Sequence, residues 1–237
     1  MPGVPGIPPR EPVAEFESLG VRAFTTTRVA GDFGLAVPAS VAENAARWRA
    51  VAESLDASQP GLVSATQVHG VCIAHHDTEW AGWRQLDGFD AHVLTAHGAA
   101  AITVADCVPV FIAHADGPAA IVHAGWRGTA GRLLAAVLDS LASRNLAAPD
   151  IRVHLGPAIC GRCYEVGPDV YEQLTGWQTT RQRHVDLRAL LAEQARAAGV
   201  RHVSASPWCT RCDRDRFFSH RGGDAGRQIA VIVARAP

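Results

Sequence analysis

Lysine is absent from this chain of 237 residues, and all 22 basic residues are arginine. That excludes a Schiff-base lysine, a pyridoxal-phosphate enzyme and a P-loop, each of which needs a lysine side chain. Any anionic substrate must be held by arginine, backbone N–H groups or a metal. Methionine occurs once, as Met1, so a blue-copper centre has no axial thioether to draw on. No His-x-His pair occurs among the eleven histidines, which disfavours a multicopper cluster. No run of 18 apolar residues occurs, so no membrane span is expected. Charge of either sign is not in excess: the formal net charge is -1. Neither nucleic acid nor an anionic membrane is favoured as a partner. The N-terminal segment from Met1 to Pro12 is rich in Pro and Gly and lacks the apolar stretch of a signal peptide. It reads as a flexible tail, and the rest as a cytoplasmic protein whose thiols stay reduced.

What remains is enough for one substantial domain over residues 13–237, because 48% of the chain is hydrophobic. Apolar alternation and short runs predict strands at 21–27, 62–68, 71–75, 91–95, 101–105, 108–113, 119–123, 151–155, 203–205 and 228–233. Helical spacing predicts helices at 41–55, from Thr129 through Leu141 with a stop at Asn145, at 168–174, and at 187–198 between an Asp186 cap and Gly199. Strands run together and helices cluster, so the pattern favours an α+β domain with mixed sheets over a Rossmann fold or barrel.

Three chemical groups stand at the ends of predicted strands. Thr66-Gln67-Val68-His69-Gly70 offers an imidazole, Ala105-Asp106-Cys107-Val108-Pro109 a thiol, and His123-Ala124-Gly125-Trp126-Arg127-Gly128 a second imidazole. If they converge, they form a three-ligand metal site with an open position, the usual form of catalytic zinc. Taken singly, each would be a core thiol or a hydrogen-bonded turn histidine. A His₂Cys set suits zinc or copper, and the lack of any methionine beyond Met1 and of His-x-His pairs favours zinc. A rival chemistry uses Cys107 as a nucleophile activated by His123, in a cysteine hydrolase or amidase. A third possibility is a metal-binding scaffold without turnover. Asp106 and Asp90 are candidates for orienting a histidine or moving a proton. Arg28 and Arg127 are candidates for clamping phosphate. Cys160-Gly161-Arg162-Cys163 and Cys209-Thr210-Arg211-Cys212 form two Cys-x-x-Cys pairs, open to a second metal, a disulfide or neither.

The ordered set of motifs resembles the YfiH-type, laccase-domain family of purine nucleoside phosphorylases. Besides the three stretches above, the likeness includes Leu155-Gly156-Pro157-Ala158-Ile159-Cys160, Cys163-Tyr164-Glu165-Val166-Gly167, Phe217-Phe218-Ser219 and Gly226-Arg227, and it runs from about Phe24 to the end of the chain. The resemblance implies a layered α/β/β/α-type fold and a zinc ion at His69, Cys107 and His123. It implies phosphorolysis of adenosine, inosine, guanosine and methylthioadenosine, with purine nucleosides and phosphate as the partners. It also implies adenosine deamination at the same site. Some members were described as copper-dependent polyphenol oxidases, and some are linked to peptidoglycan precursors. These supply the alternative readings, including an amidase acting through Cys107 and His123.

Overall fold

The computed structural model describes residues 8–35, 41–55 and 61–235. Two six-stranded mixed sheets are stacked face to face. The first has the order β1 (Arg10–Pro12), β2 (Arg22–Thr26), β14 (Gln228–Ala234), β7 (Gly98–Val104), β3 (Gly61–Thr66), β5 (Gly82–Asp87). The second runs β13 (His202–Ala205), β10 (Ile151–Leu155), β8 (Val108–His114), β9 (Ala119–Ala124), β6 (Ala91–Leu94), β4 (Ile73–His76). A short ribbon pairs β11 (Glu165–Val166) with β12 (Arg183–His184).

Burial on both faces explains why β14, β8 and β9 read as unbroken apolar runs, for every residue in them is buried. Val63, Ile102 and Ile232 of the first sheet meet Phe111 and Ile121 of the second in the central layer. Outside the first sheet, α1 (Val41–Ser54) packs Trp48 and Val51 against Leu62, Ala101 and Val231. Outside the second, α3 (Leu133–Ala142) and α5 (Leu187–Ala197) cover Val110, Val122 and Val153. The expected α+β domain with helix-covered mixed sheets is therefore the observed one. On α3, Leu134 and Leu138 share the buried face with Val137 and Leu141 at helical spacing. Truncating Leu134 to alanine removes packing worth about 2–5 kcal/mol.

Differences from the sequence expectations are local. Arg10–Pro12, expected in the tail, pairs with Thr26–Phe24 as an edge strand; residues 1–7 lie outside the described residues. The helix expected from Thr129 starts earlier, as α2 (Trp126–Ala130), and breaks at Arg132, whose φ is 57°. Strand β5 was not expected, because it is a half-exposed edge without alternation. Asp186 caps α5 as anticipated, accepting from the N–H groups of Arg188 (3.0 Å) and Ala189 (3.2 Å). The helix α4 (Pro168–Thr175) also falls where expected.

Candidate metal centre and its two cavities

The parallel strands β3 and β7 are paired, Leu62 with Ala99 and Val63 with Ala100, so both run out at the same edge. The Gln67 side chain fixes this junction. Its oxygen accepts from Thr103 N–H (2.7 Å) and hydroxyl (2.8 Å), and its amide donates to the Thr103 carbonyl (2.9 Å). His69 is thereby placed beside residues 105–107, which carry the chain from β7 in the first sheet to β8 in the second. In the second sheet Pro109 pairs with His123 and Val108 with Ala124, which puts Cys107 next to the end of β9. The three predicted ligands therefore meet at one edge of the sandwich, where both sheets contribute. Their ligand atoms all lie within 4.8 Å of one another.

Local backbone serves this convergence. His69 and Asp106 both adopt positive φ, 57° and 86°, a conformation few side chains other than Gly, Asn and Asp tolerate. At His69 the turn aims three successive N–H groups, of Val68 (3.3 Å), His69 (3.0 Å) and Gly70 (2.7 Å), at the buried Asp90 carboxylate. Gly125 leaves room behind the ligands: a Cβ there would lie 3.0 Å from Cys107 Sγ and 3.3 Å from His69 Cδ2.

Asp90 also holds His123, its Oδ1 lying 2.8 Å from Nδ1. With Asp90 accepting, Nδ1 carries the proton and Nε2 is left to face the centre. Burial pushes the Asp90 carboxyl up, but His123 and the Gly70 N–H outweigh it and hold it below the usual carboxylate range. Burial likewise pushes the Cys107 thiol up, but His123 and His69 draw it down to about 6. Burial pulls His123 down, while the Cys107 sulfur and Asp90 raise it to about 9. A sulfur that favours its thiolate, an imidazole whose Nδ1 is held by Asp90 so that Nε2 can serve a cation that displaces its proton, and a second imidazole form a set suited to a divalent cation.

Two cavities open on either side. One, of about 450 Å³, is lined by Trp48, Gln67, Gln85, Thr103 and Arg227. The other, of about 500 Å³, is lined by Arg127, Tyr164, Gln182 and Arg221. His69, Cys107 and His220 line both.

The remaining candidates fall in different places. Asp106 is buried beside Cys107, and both its oxygens are engaged: Thr210 donates its hydroxyl to Oδ1 (2.6 Å) and Arg221 its backbone N–H to Oδ2 (2.6 Å). Arg127 lies over the Trp126 ring, 4.4 Å from its centroid, on the wall of the second cavity. Arg28 lines neither cavity; it pairs with Asp224 (2.6 Å) and stacks on Phe218 (4.4 Å). Residue-by-residue reading missed Tyr164, His220, Arg221 and Arg227 as cavity residues. The only signal for them was their place within or beside the motifs Cys163–Gly167, Phe217–Ser219 and Gly226-Arg227.

Comparisons with known proteins converge on one family. The family described as "multi-copper polyphenol oxidoreductase laccase" matches residues 30–235. Adenosine deaminase RL5, from an unknown prokaryotic organism, is 32% identical over 248 residues, covering 91% of this chain and 95% of that protein. A purine nucleoside phosphorylase of Streptomyces coelicolor is 34% identical over 193 residues, covering 76% and 78%. Among solved structures, the Bacillus licheniformis protein YfiH superposes with a TM-score of 0.82 at 26% identity, over 97% of both chains. No helix among the described residues is long and apolar enough to cross a membrane.

Proposed function

This chain belongs to the multi-copper polyphenol oxidoreductase laccase family, and from that premise we propose that it is a zinc-dependent purine nucleoside phosphorylase with adenosine deaminase activity at the same centre. The observation that carries the reading is the convergence of His69, Cys107 and His123 within 4.8 Å, at the junction of two cavities large enough for a nucleoside and for phosphate. Relatives named for each of the two activities support it.

Zinc held by those three side chains supplies a Lewis acid with an open position. Zinc is preferred to copper because the chain has no His-x-His pair and its single methionine is Met1. The residues around the centre do the rest. Asp90 keeps His123 in the tautomer that turns Nε2 inward. Arg127 and the Arg221 side chain put positive charge on the second cavity and hold phosphate there. Gln67, Gln85 and Thr103 give the first cavity polar groups for the nucleoside. Asp106, proposed from sequence to move protons, is assigned here to positioning, since it fixes Thr210 and the Arg221 backbone. Arg28 is assigned to the same loop through Asp224 rather than to phosphate. A cytoplasmic setting remains part of the proposal.

The experiment is to incubate zinc-loaded protein with adenosine, with and without phosphate, and separate the products. Adenine that appears only with phosphate supports phosphorolysis; inosine supports deamination. Full phosphorolysis by His69→Ala or His123→Ala protein that retains no zinc at this centre would overturn the reading.

A second reading rests on one observation: Cys107, His123 and Asp90 also form a chain of nucleophile, base and orienting carboxylate. A cysteine amidase, for instance on peptidoglycan precursors, would form a covalent acyl adduct at Cys107 and keep its activity without metal. Zinc protection of Cys107 from alkylation counts against it.

A further inference from the structure

We propose that Cys160, Cys163, Cys209 and Cys212 form a second, structural zinc site that clamps together the two loops completing the Arg221 side of the cavity. The sequence leaves these cysteines as two separate pairs, 49 residues apart at Cys160 and Cys209. Folding brings all four sulfurs within 4.8 Å of one another. Four thiolates around a tetrahedral zinc at about 2.3 Å place their sulfurs ~3.8 Å apart. Cys163 Sγ and Cys212 Sγ are 3.5 Å apart, and all four cysteines are free.

The backbone around the cluster is built to hold thiolates. Cys209 Sγ accepts from the N–H groups of Cys160 (3.3 Å) and Cys212 (3.4 Å). Cys160 Sγ receives backbone hydrogen bonds from Arg162 and Cys163. Each Cys-x-x-Cys segment makes a tight turn, with Cys163 N–H on the Cys160 carbonyl (2.9 Å) and Asp213 N–H on the Cys209 carbonyl (2.8 Å). N–H groups directed at sulfur offset the charge of the ligands, as outer-sphere hydrogen bonds do at metal centres. Each turn also carries an arginine, Arg162 or Arg211. Four soft donors of one kind, with none lining either cavity, describe a closed site rather than a reactive one.

Its position gives it a consequence. The first turn leads directly into Tyr164–Gly167, on the wall of the second cavity. The second leads through Thr210, which donates to Asp106, to the loop that carries His220 and Arg221. Arg211 donates to the Cys163 carbonyl (3.0 Å) and Arg221 to the Glu165 carbonyl (2.8 Å), so the same two loops are also stitched on either side of the cluster. A zinc ion here fixes the spacing of those loops without touching substrate.

The test uses full-length protein loaded with zinc, desalted and measured by elemental analysis. Cys163→Ser/Cys212→Ser protein is expected to hold one equivalent less than the unsubstituted chain, whether or not the His69–Cys107–His123 centre is occupied. Because that variant can fail to fold, a second measurement uses the unsubstituted protein. Alkylation followed by peptide mass mapping is expected to find these four cysteines protected by zinc and modified after chelation. An unchanged zinc count in a folded variant, equal alkylation with and without chelator, or a disulfide among the four would overturn the proposal.

Discussion

The chain gathers two clusters of metal-ligating side chains, and they differ in almost every physical respect. His69, Cys107 and His123 are a mixed set of three, drawn from both sheets and bordering two cavities. A buried carboxylate stands behind them, and His69 itself sits in a left-handed backbone conformation. Cys160, Cys163, Cys209 and Cys212 are a uniform set of four, drawn from two loops, and none of them lines either cavity. Three donors leave a cation an open face, whereas four thiolates close it. On the function proposed above, the contrast separates a place for chemistry from a place that holds loops.

The largest effect should come from the mixed cluster. Cys107→Ala and His123→Ala are each expected to lower phosphorolysis kcat/KM by ~10³-fold or more, since the Lewis acid is worth several kcal/mol. Elemental analysis should show the loss of the zinc held at this centre, while the four-cysteine cluster keeps its own. Loss of both ions from either variant would break the distinction between the two clusters. Asp90→Asn comes next. It leaves the ligands in place but weakens the hold on His123 Nδ1 and on the three N–H groups at Val68, His69 and Gly70. A loss of ~10–100-fold in zinc affinity is expected, read by competition with a chelator.

How much of this contrast was legible before folding depends on where its signals lie. The three mixed ligands stand at strand ends that apolar runs make visible, so His69, Cys107 and His123 could be proposed together. That they meet depends on the parallel register of β3 with β7 and on the Pro109–His123 pairing, which spacing does not reveal. Asp90 was one of two plausible carboxylates, both buried, and only its hydrogen bond to His123 Nδ1 decided between it and Asp106, which bonds Thr210 instead. The mixed-sheet α+β fold was visible because strands such as β14, β8 and β9, buried on both faces, read as apolar runs, while the layering came only from the family resemblance and β5 escaped because this edge strand carries no alternation. The arginines were hardest to place. A guanidinium at a strand end looks the same whether it faces a cavity, as Arg127 does, or a carboxylate, as Arg28 does.

Arg127 and Asp106 sharpen the boundary between the clusters. Arg127 makes no ion pair among the described residues, so its charge is available to the cavity. Arg127→Ala should raise KM for phosphate ~20-fold, as expected for loss of a charge-assisted hydrogen bond, with the zinc count intact. Asp106 sits between the clusters, next to Cys107 in sequence and bonded to Thr210, which follows Cys209. Asp106→Asn keeps an acceptor oxygen but loses the charge. A fall in kcat/KM of about tenfold, carried by KM for phosphate, is the mark of a positioning residue. A fall in kcat of ~10²–10⁴-fold with KM unchanged would return Asp106 to the proton-transfer role.

The smallest effect should come from Arg28, the arginine that belongs to the held loops. Its guanidinium pairs with Asp224, which also receives Arg214 (3.0 Å) and the Ser219 N–H (2.9 Å), just beyond the second cysteine pair. Arg214 and Arg28 hold the Asp224 carboxyl well below the usual carboxylate range. A depressed folded pKa stabilises the protein above the unfolded value of about 3.9, and that stabilisation is lost as pH falls through the lower, folded value. Arg28→Ala removes one of the two cations, so the folded pKa rises toward the unfolded one and the contribution shrinks at neutral pH. The ion pair is partly exposed and the stack on Phe218 disappears with it, so the cost is ~1 kcal/mol, or a melting temperature lower by ~2–4 °C. The deficit should narrow as pH falls below about 3.9 through the variant's folded pKa, and close only below the lower value of the unsubstituted protein, because protonation removes the charge that Arg28 stabilises. KM for phosphate should stay within twofold of the unsubstituted value, roughly 0.4 kcal/mol; a rise matching that of Arg127→Ala would move Arg28 from the loop to the cavity.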